Sequence, residues 1–178
     1  MNMDPPLASL MHDWHDFYAL VGTASATLVG LMFVAASIGA NVFNKDHHEP
    51  MKAFVTPTVV HFSAVLLISI VLTVPTQTFA SLAAVLGCGG IAGLAYSGRQ
   101  WLRVRSVADK IDLEDRLFYG LIPVAGHLLI GVAAWALYAR SPSSPELIAV
   151  ALIVLLVAGI RNAWDMTVWI VTRSPRRS

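Results

Sequence analysis

The sequence predicts an all-α, polytopic membrane helical bundle. Three observations predict it: the composition, five long apolar runs, and a lopsided distribution of basic residues around those runs. Of the 178 residues, 56% are hydrophobic and 13% charged, against roughly a quarter charged in an ordinary soluble domain. A water-soluble fold of this length needs polar surface to cover its core, and 12 Lys and Arg with 11 Asp and Glu, gathered mostly into three short stretches, do not supply it. The formal charge of +1 offers no basic field to nucleic acid. A single cysteine, Cys88, excludes a disulfide framework, a Cys-rich zinc site and an iron–sulfur cluster. At mid-span depth it is expected to be an inert thiol.

A helix needs about 20 apolar residues to cross the hydrocarbon. Five runs qualify: Phe17 to Phe43, Ala53 to Val74, Thr78 to Ser97, Leu117 to Ala139 and Leu147 to Val171. Val74-Pro75-Thr76-Gln77-Thr78 is short enough only for a tight turn. Ser141-Pro142-Ser143-Ser144-Pro145-Glu146 is a breaker cluster in which Ser144 can cap a helix that begins at Pro145. The charged stretch Arg99 to Arg116 keeps Trp101, Val104, Ala108 and Ile111 at near-helical spacing, so the third helix is expected to continue past the membrane and then break. Asp112 can cap the fourth helix, with Glu114 and Asp115 in its first turn. Before the first span, Leu7, Leu10, Met11, Trp14, Phe17 and Tyr18 recur at helical spacing opposite His12, Asp13, His15 and Asp16, which predicts a short N-terminal interfacial helix. The expected organisation is an interfacial segment over 1–16, a five-helix transmembrane domain over 17–172 and a basic cytoplasmic tail over 173–178.

Five spans divide the connections between two sides. Lys45, Lys52, Arg99, Arg103, Arg105, Lys110, Arg116, Arg173, Arg176 and Arg177 fall on the side of the C-terminus; only Arg140 falls on the other, and Arg161 lies inside the fifth span. The positive-inside rule therefore puts the N-terminus outside and the C-terminus in the cytoplasm. Trp14, Tyr18, Trp135 and Tyr138 near the outer boundary, and Trp101, Tyr119 and Trp169 near the inner one, agree with an aromatic belt. A cleaved signal peptide is not expected. No Lys or Arg precedes Phe17, and Ile38-Gly39-Ala40 is a poor cleavage site.

Lipid tails are as apolar as Leu, so membrane helices associate through close backbone approach and interhelical hydrogen bonds. Gly22, Ala26 and Gly30 form a small-residue row on the first span, and Gly89, Gly93 and Ser97 form one on the third. Both rows are expected to make tight contacts, within the chain or between chains.

An ionisable group in hydrocarbon costs roughly 2.5 to 3.5 kcal/mol even on the mild insertion scale, which marks each one as a possible site. His61 and His127 each sit about nine residues, or roughly 13 Å, from the cytoplasmic start of a span, so they can share one layer. Each also follows a proline by four residues, Pro57 and Pro123. Arg161 and Asp165 lie one turn apart on the fifth span and can pair, and Asn162 adds a donor and an acceptor. These five residues predict a buried polar cluster in the cytoplasmic half of the bundle. Foremost of three readings is a structural one, in which the cluster fixes helix register. A proton or ion path is the second, since His titrates near neutral pH. The third is a b-type haem held between His61 and His127, because haem iron accepts axial imidazoles from facing helices. Apart from that haem, no cofactor is expected.

Other constellations are weaker. His12, His15 and Asp16 have one-turn spacing suited to a divalent cation at the outer surface, but an exposed polar helix face explains them as well. His47-His48-Glu49-Pro50 lacks the H-E-x-x-H spacing of a zinc peptidase, and the sequence carries no nucleophile elbow, phosphate loop or dinucleotide fingerprint. No enzyme activity is expected.

Three stretches carry a resemblance. They are Trp14-His15-Asp16-Phe17-Tyr18 running into Gly22-Thr23-Ala24-Ser25-Ala26-Thr27-Leu28-Val29-Gly30, then Thr56-Pro57-Thr58-Val59-Val60-His61-Phe62, and Gly159-Ile160-Arg161-Asn162-Ala163-Trp164-Asp165. The chain resembles a group of short bacterial multi-pass membrane proteins, some of which are labelled modulators of the membrane protease FtsH. The resemblance implies a bacterial inner-membrane home and a protein partner, and it transfers no catalytic residue. The expected role is a non-catalytic interaction or accessory subunit, with the lipid bilayer and a second copy or another membrane protein as its partners. The rivals are a small oligomeric ion or proton channel and a haem-carrying redox subunit.

Overall fold

The computed structural model describes residues 7–39, 48–106 and 117–173, and all regular structure within them is helical. The order is α1 (Leu7–His12), α2 (His15–Gly39), α3 (His48–Thr73), α4 (Phe79–Ser106), a π-helical turn (Leu117–Leu121), α5 (Ile122–Tyr138) and α6 (Ser144–Arg173). Five stretches are long and apolar enough to span a membrane: His15–Ile38, Thr56–Thr73, Phe79–Arg103, Leu117–Tyr138 and Ser144–Val168. Leu20, Ile38, Leu67, Ile91, Trp135 and Val171 stand exposed on the outside of the bundle. That is the surface a multi-pass membrane protein presents to lipid.

The helix boundaries follow local chemistry. Thr78 and Ser81 form a reciprocal cap at the start of α4: the Ser81 N–H donates to Thr78 Oγ1 at 3.1 Å, and the Thr78 N–H donates to Ser81 Oγ at 2.9 Å. Two of the orphan donors of that helix end are thereby satisfied. Pro123 has no N–H to offer the Tyr119 carbonyl, so the regular ladder is interrupted and the chain enters α5 through the wider π turn. At its far end α5 closes with a left-handed residue, Arg140 (φ 56°). The Arg140 N–H donates to Leu137 O at 3.0 Å and the Ser141 N–H to Ala136 O at 2.8 Å, the double bond of a Schellman cap. Arg140 then lies 5.4 Å from the centre of the Phe79 ring, which ties the end of α5 to the start of α4.

Several expectations shift at the ends. The first span begins at His15, after a turn at Asp13 and Trp14, so the predicted N-terminal helix is split into α1 and the start of α2. Met11 of α1 is buried in the core with Leu72 and Leu82. Tyr18, expected in the aromatic belt, is wholly buried, and its hydroxyl donates to Pro145 O at 3.0 Å. The Ser144 hydroxyl donates back to Ser141 O at 2.9 Å instead of accepting from the first turn of α6. As expected, α4 runs on to Ser106. The expected cap at Asp112, with Glu114 and Asp115, lies outside the described residues, as do Lys45, Lys110, Arg116, Arg176 and Arg177.

Packing is sequential at its edges and closed in the middle. α2 packs on α3, α3 on α6, α6 on α5 and α5 on α4, while a lighter α3–α4 contact closes α3, α6, α5 and α4 into a four-helix ring. α2 stands outside that ring, packed mainly on α3 with a smaller contact to α6. Close approach is enabled at Gly159, where any Cβ would run into the Phe62 ring, so Phe62 rests directly on the backbone of α6. The Ser25 hydroxyl donates to Phe62 O at 2.7 Å, an interhelical bond that fixes α2 on α3.

Candidate functional site

A few buried polar side chains interrupt the mostly apolar interior of the ring. α3 contributes His61, α5 contributes His127, and the two imidazole rings lie 5.7 Å apart, centroid to centroid, at 47°. Tyr96 of α4 meets His61 edge-on at 6.5 Å. α6 brings Asn162, which follows Gly159 by one turn on the stripe that also buries Leu155, Ala158 and Met166. His61, His127 and Asn162 are all buried, with exposures of 2%, 2% and 1%. The shared histidine depth expected from the two spans is thus realised as direct neighbourhood.

Local geometry fixes the state of one ring. His127 Nδ1 lies 2.8 Å from Pro123 O. A carbonyl only accepts, so the neutral ring carries its proton on Nδ1 and Nε2 is a bare lone pair. That Nε2 has no hydrogen-bond partner, nor has His61 Nδ1, nor either atom of the Asn162 amide. The proline-four-before-histidine repeat is therefore not symmetric, since His61 Nδ1 makes no matching bond to its own helix. The Cδ2–Nε2 edge of His127 rests against Gly93 of α4, where no Cβ could be accommodated.

The Arg161–Asp165 pair expected one turn apart on α6 is formed. Asp165 also accepts a hydrogen bond from the Tyr119 hydroxyl at 2.9 Å, and the Arg161 guanidinium stacks 5.7 Å from the Phe118 ring. These contacts lock α6 to the π turn. Both charged side chains are partly exposed, at 28% and 23%. Asn162 lies between them in sequence but its amide bonds to neither, so the predicted cluster resolves into a histidine pair and an ion-pair group.

The small-residue rows find different neighbours from each other. Gly22 meets Ser69 of α3, where a Cβ would stand 2.9 Å from the serine Cβ, and Gly93 meets His127. Ser97 is buried and its hydroxyl donates to Gly93 O at 2.8 Å. Ala26 is exposed, and Gly30 and Gly89 have nothing within 4 Å. At the end of the bundle where α1 lies, that helix borders a cavity of about 390 Å³ lined by Leu7, Met11, His12, His15, Leu72 and Val74. His15 Nδ1 lies 3.4 Å from Asp16 Oδ1, both exposed. Among the described residues no three His, Cys, Asp or Glu side chains come together as metal ligands, and His12, His15 and Asp16 are not gathered into such a group. Cys88 is exposed on the outer surface of α4.

Sequence reasoning missed three aromatic partners: Tyr18 to Pro145, Tyr96 to His61, and Tyr119 to Asp165. Their number and placement along the spans were visible, but a tyrosine near a span end reads equally as a belt residue. Comparison with protein-family models, curated proteins and solved structures gives no match.

Proposed function

We propose that this chain is a non-catalytic accessory or interaction subunit of a bacterial inner membrane, with its N-terminus outside and its C-terminus in the cytoplasm. The carrying observation is that the helix outside the ring leaves its small-residue face uncovered. On α2, Thr23, Ala26, Thr27 and Gly30 are exposed. The two threonine hydroxyls donate to Ala19 O and Thr23 O of their own helix, at 2.8 and 2.9 Å, and so present a smooth, chemically satisfied face. Such a face suits close approach by another membrane helix. Gly89 of α4 offers a second open position. The resemblance to proteins labelled modulators of a membrane protease supports the same reading, and the basic residues of the inner connections support the orientation.

Mild-detergent extraction from native membranes, followed by size analysis and identification of copurifying chains, tests the reading. Wild-type protein is expected in a complex, with itself or another membrane protein. Gly30→Leu is expected to release it while leaving the helical melting transition in place. A monomer that copurifies with nothing, or a complex indifferent to Gly30→Leu, overturns the proposal. The rival reading of a proton or ion path draws on the unpartnered histidine nitrogens. It requires that His61→Ala abolish flux in liposomes without disturbing the fold.

A further inference from the structure

We propose that the cavity beside α1 is a binding site for a single-chain lipid amphiphile, one acyl tail under a carboxylate or phosphate headgroup. The site lies apart from the uncovered face of α2 and does not depend on the reading built on that face. It requires only that the five long helices span a bilayer. Its place in the fold is the first argument. The cavity, of about 390 Å³, is enclosed by α1, the first residue of α2, the end of α3, the turn after it and the start of α4. Three of the membrane-spanning stretches begin or end at this level, at His15, Thr73 and Phe79. The cavity thus sits where hydrocarbon gives way to headgroups. One face of α1, carrying Leu7, Ala8, Met11 and His12, supplies a wall.

The lining is divided by chemistry. Met11, Leu72 and Leu82 are buried members of the hydrophobic core and bound the inner side. Water finds few hydrogen bonds against such a surface, and an apolar guest is favoured there. A methylene needs about as much room as a water molecule in the liquid, roughly 30 Å³, so the volume corresponds to an acyl chain of roughly a dozen carbons. The polar lining residues His12, His15 and Gln77 come instead from exposed or half-buried positions and mark the rim. Gln77 Oε1 already accepts from the Ser81 hydroxyl at 2.7 Å, which leaves the amide NH₂ as the group it can offer. His15 faces Asp16 through Nδ1 at 3.4 Å, and its Nε2 remains. An imidazole donates to an oxyanion or accepts from its acid form. Among the described lining residues there is no carboxylate to recognise an amine headgroup. Inner side and rim together match a molecule that is apolar at one end and an oxygen acid at the other. A free fatty acid and a lysophospholipid share that chemistry, and experiment separates them.

The test uses the full chain in phosphatidylcholine vesicles. Dodecanoic acid with a diazirine at its tail end is added to one portion, and lysophosphatidylglycerol with the same tail to another. After irradiation the labelled residues are mapped by peptide mass spectrometry. Label is expected on Met11, Leu72 or Leu82, which are closed to bulk lipid, besides the outward-facing Leu67 and Ile91 that any membrane probe meets. The unlabelled form of the same amphiphile is expected to cut the inner label at least tenfold and to leave the label on Leu67 and Ile91 in place. The probe displaced at the lower concentration identifies the source. The neutral counterparts, dodecanol and monolauroylglycerol, are expected to compete at least tenfold less well. Ala8→Trp, at an exposed position that lines the cavity, is expected to remove most of the inner label without moving the helical melting transition. Should that variant fail to fold, the competition on the unaltered chain decides the matter. Label confined to outward-facing residues, inner label that no competitor displaces, neutral lipids competing as well as acidic ones, or a folded Ala8→Trp variant labelled like the parent overturns the proposal.

Discussion

His127 of α5 lies with one edge of its imidazole directly on Gly93 of α4, in space that any side chain at position 93 would occupy. The ring is held there from behind by the bond between Nδ1 and Pro123 O, at 2.8 Å. The glycine is thus a steric requirement of the histidine, and the two positions act as one element of the ring interior.

Gly93→Ala should therefore destabilise the bundle by roughly 1–3 kcal/mol, the usual cost of overpacking a tight core. The bond to Pro123 keeps the ring from swinging away cheaply. Gly30→Ala, with nothing within 4 Å of the added methyl, should be neutral or gain up to about 1 kcal/mol from helix propensity. Thermal unfolding followed by helical circular dichroism in one detergent compares the two. Equal effects would show that Gly93 is not held against the ring.

Tyr18→Phe removes the hydroxyl that joins α2 to Pro145 at the start of α6, while keeping the buried ring. The expected loss is about 1 kcal/mol, the net value of one intramolecular hydrogen bond. Tyr18→Ala should cost about 3–5 kcal/mol, since it also opens a cavity against Trp14 and Phe17, whose rings lie 6.2 and 5.6 Å away. A phenylalanine variant as unstable as the alanine one would mean that the hydroxyl, not the ring, carries the contact.

Orientation can be read from single cysteines placed in a Cys88→Ser background. A cysteine at Ser143, in the turn before α6, should react with a membrane-impermeant maleimide in intact cells. One at Arg103, near the end of α4, should react only after the membrane is opened. Arg140 shares the first end through Phe79, so the same labelling tests the sorting of charges on which the orientation rests. Reversed accessibility would invert the assignment.

Much of this architecture is legible in the sequence because length and apolarity alone define a membrane helix. The depth of His61 and His127 is also legible, since both spans run from the same side and helical rise is fixed. What the spans pack against is not. Small residues announce that a backbone will come close without saying whose, and so Gly22 meets Ser69 and Gly93 meets His127, while Gly30 and Gly89 meet nothing. The division of the polar residues into two groups was hidden for a related reason. Asn162, Arg161 and Asp165 are close in sequence, but helical rotation turns Asn162 inward and leaves the ion pair partly exposed beside Tyr119. Tyr119 in turn depends on the π turn that Pro123 imposes, a backbone event that periodicity does not encode.

The Arg161–Asp165 pair offers the sharpest energetic test. Removing one partner leaves a charge at membrane depth, whereas removing both leaves none. Arg161→Leu and Asp165→Leu should each destabilise by about 1–3 kcal/mol, less than the 3–5 kcal/mol of a fully buried broken pair because the side chains are 28% and 23% exposed. The double variant should cost clearly less than the sum of the two. A double-mutant cycle from unfolding in mixed micelles should give a coupling of about 1 kcal/mol or more. Tyr119→Phe should weaken the pair by about 1 kcal/mol through the lost bond to Asp165 Oδ2, and only while Asp165 is present. Strict additivity would instead mean that each side chain is satisfied by its own surroundings. Phe118 and the interface would then hold the arginine, and Tyr119 the aspartate.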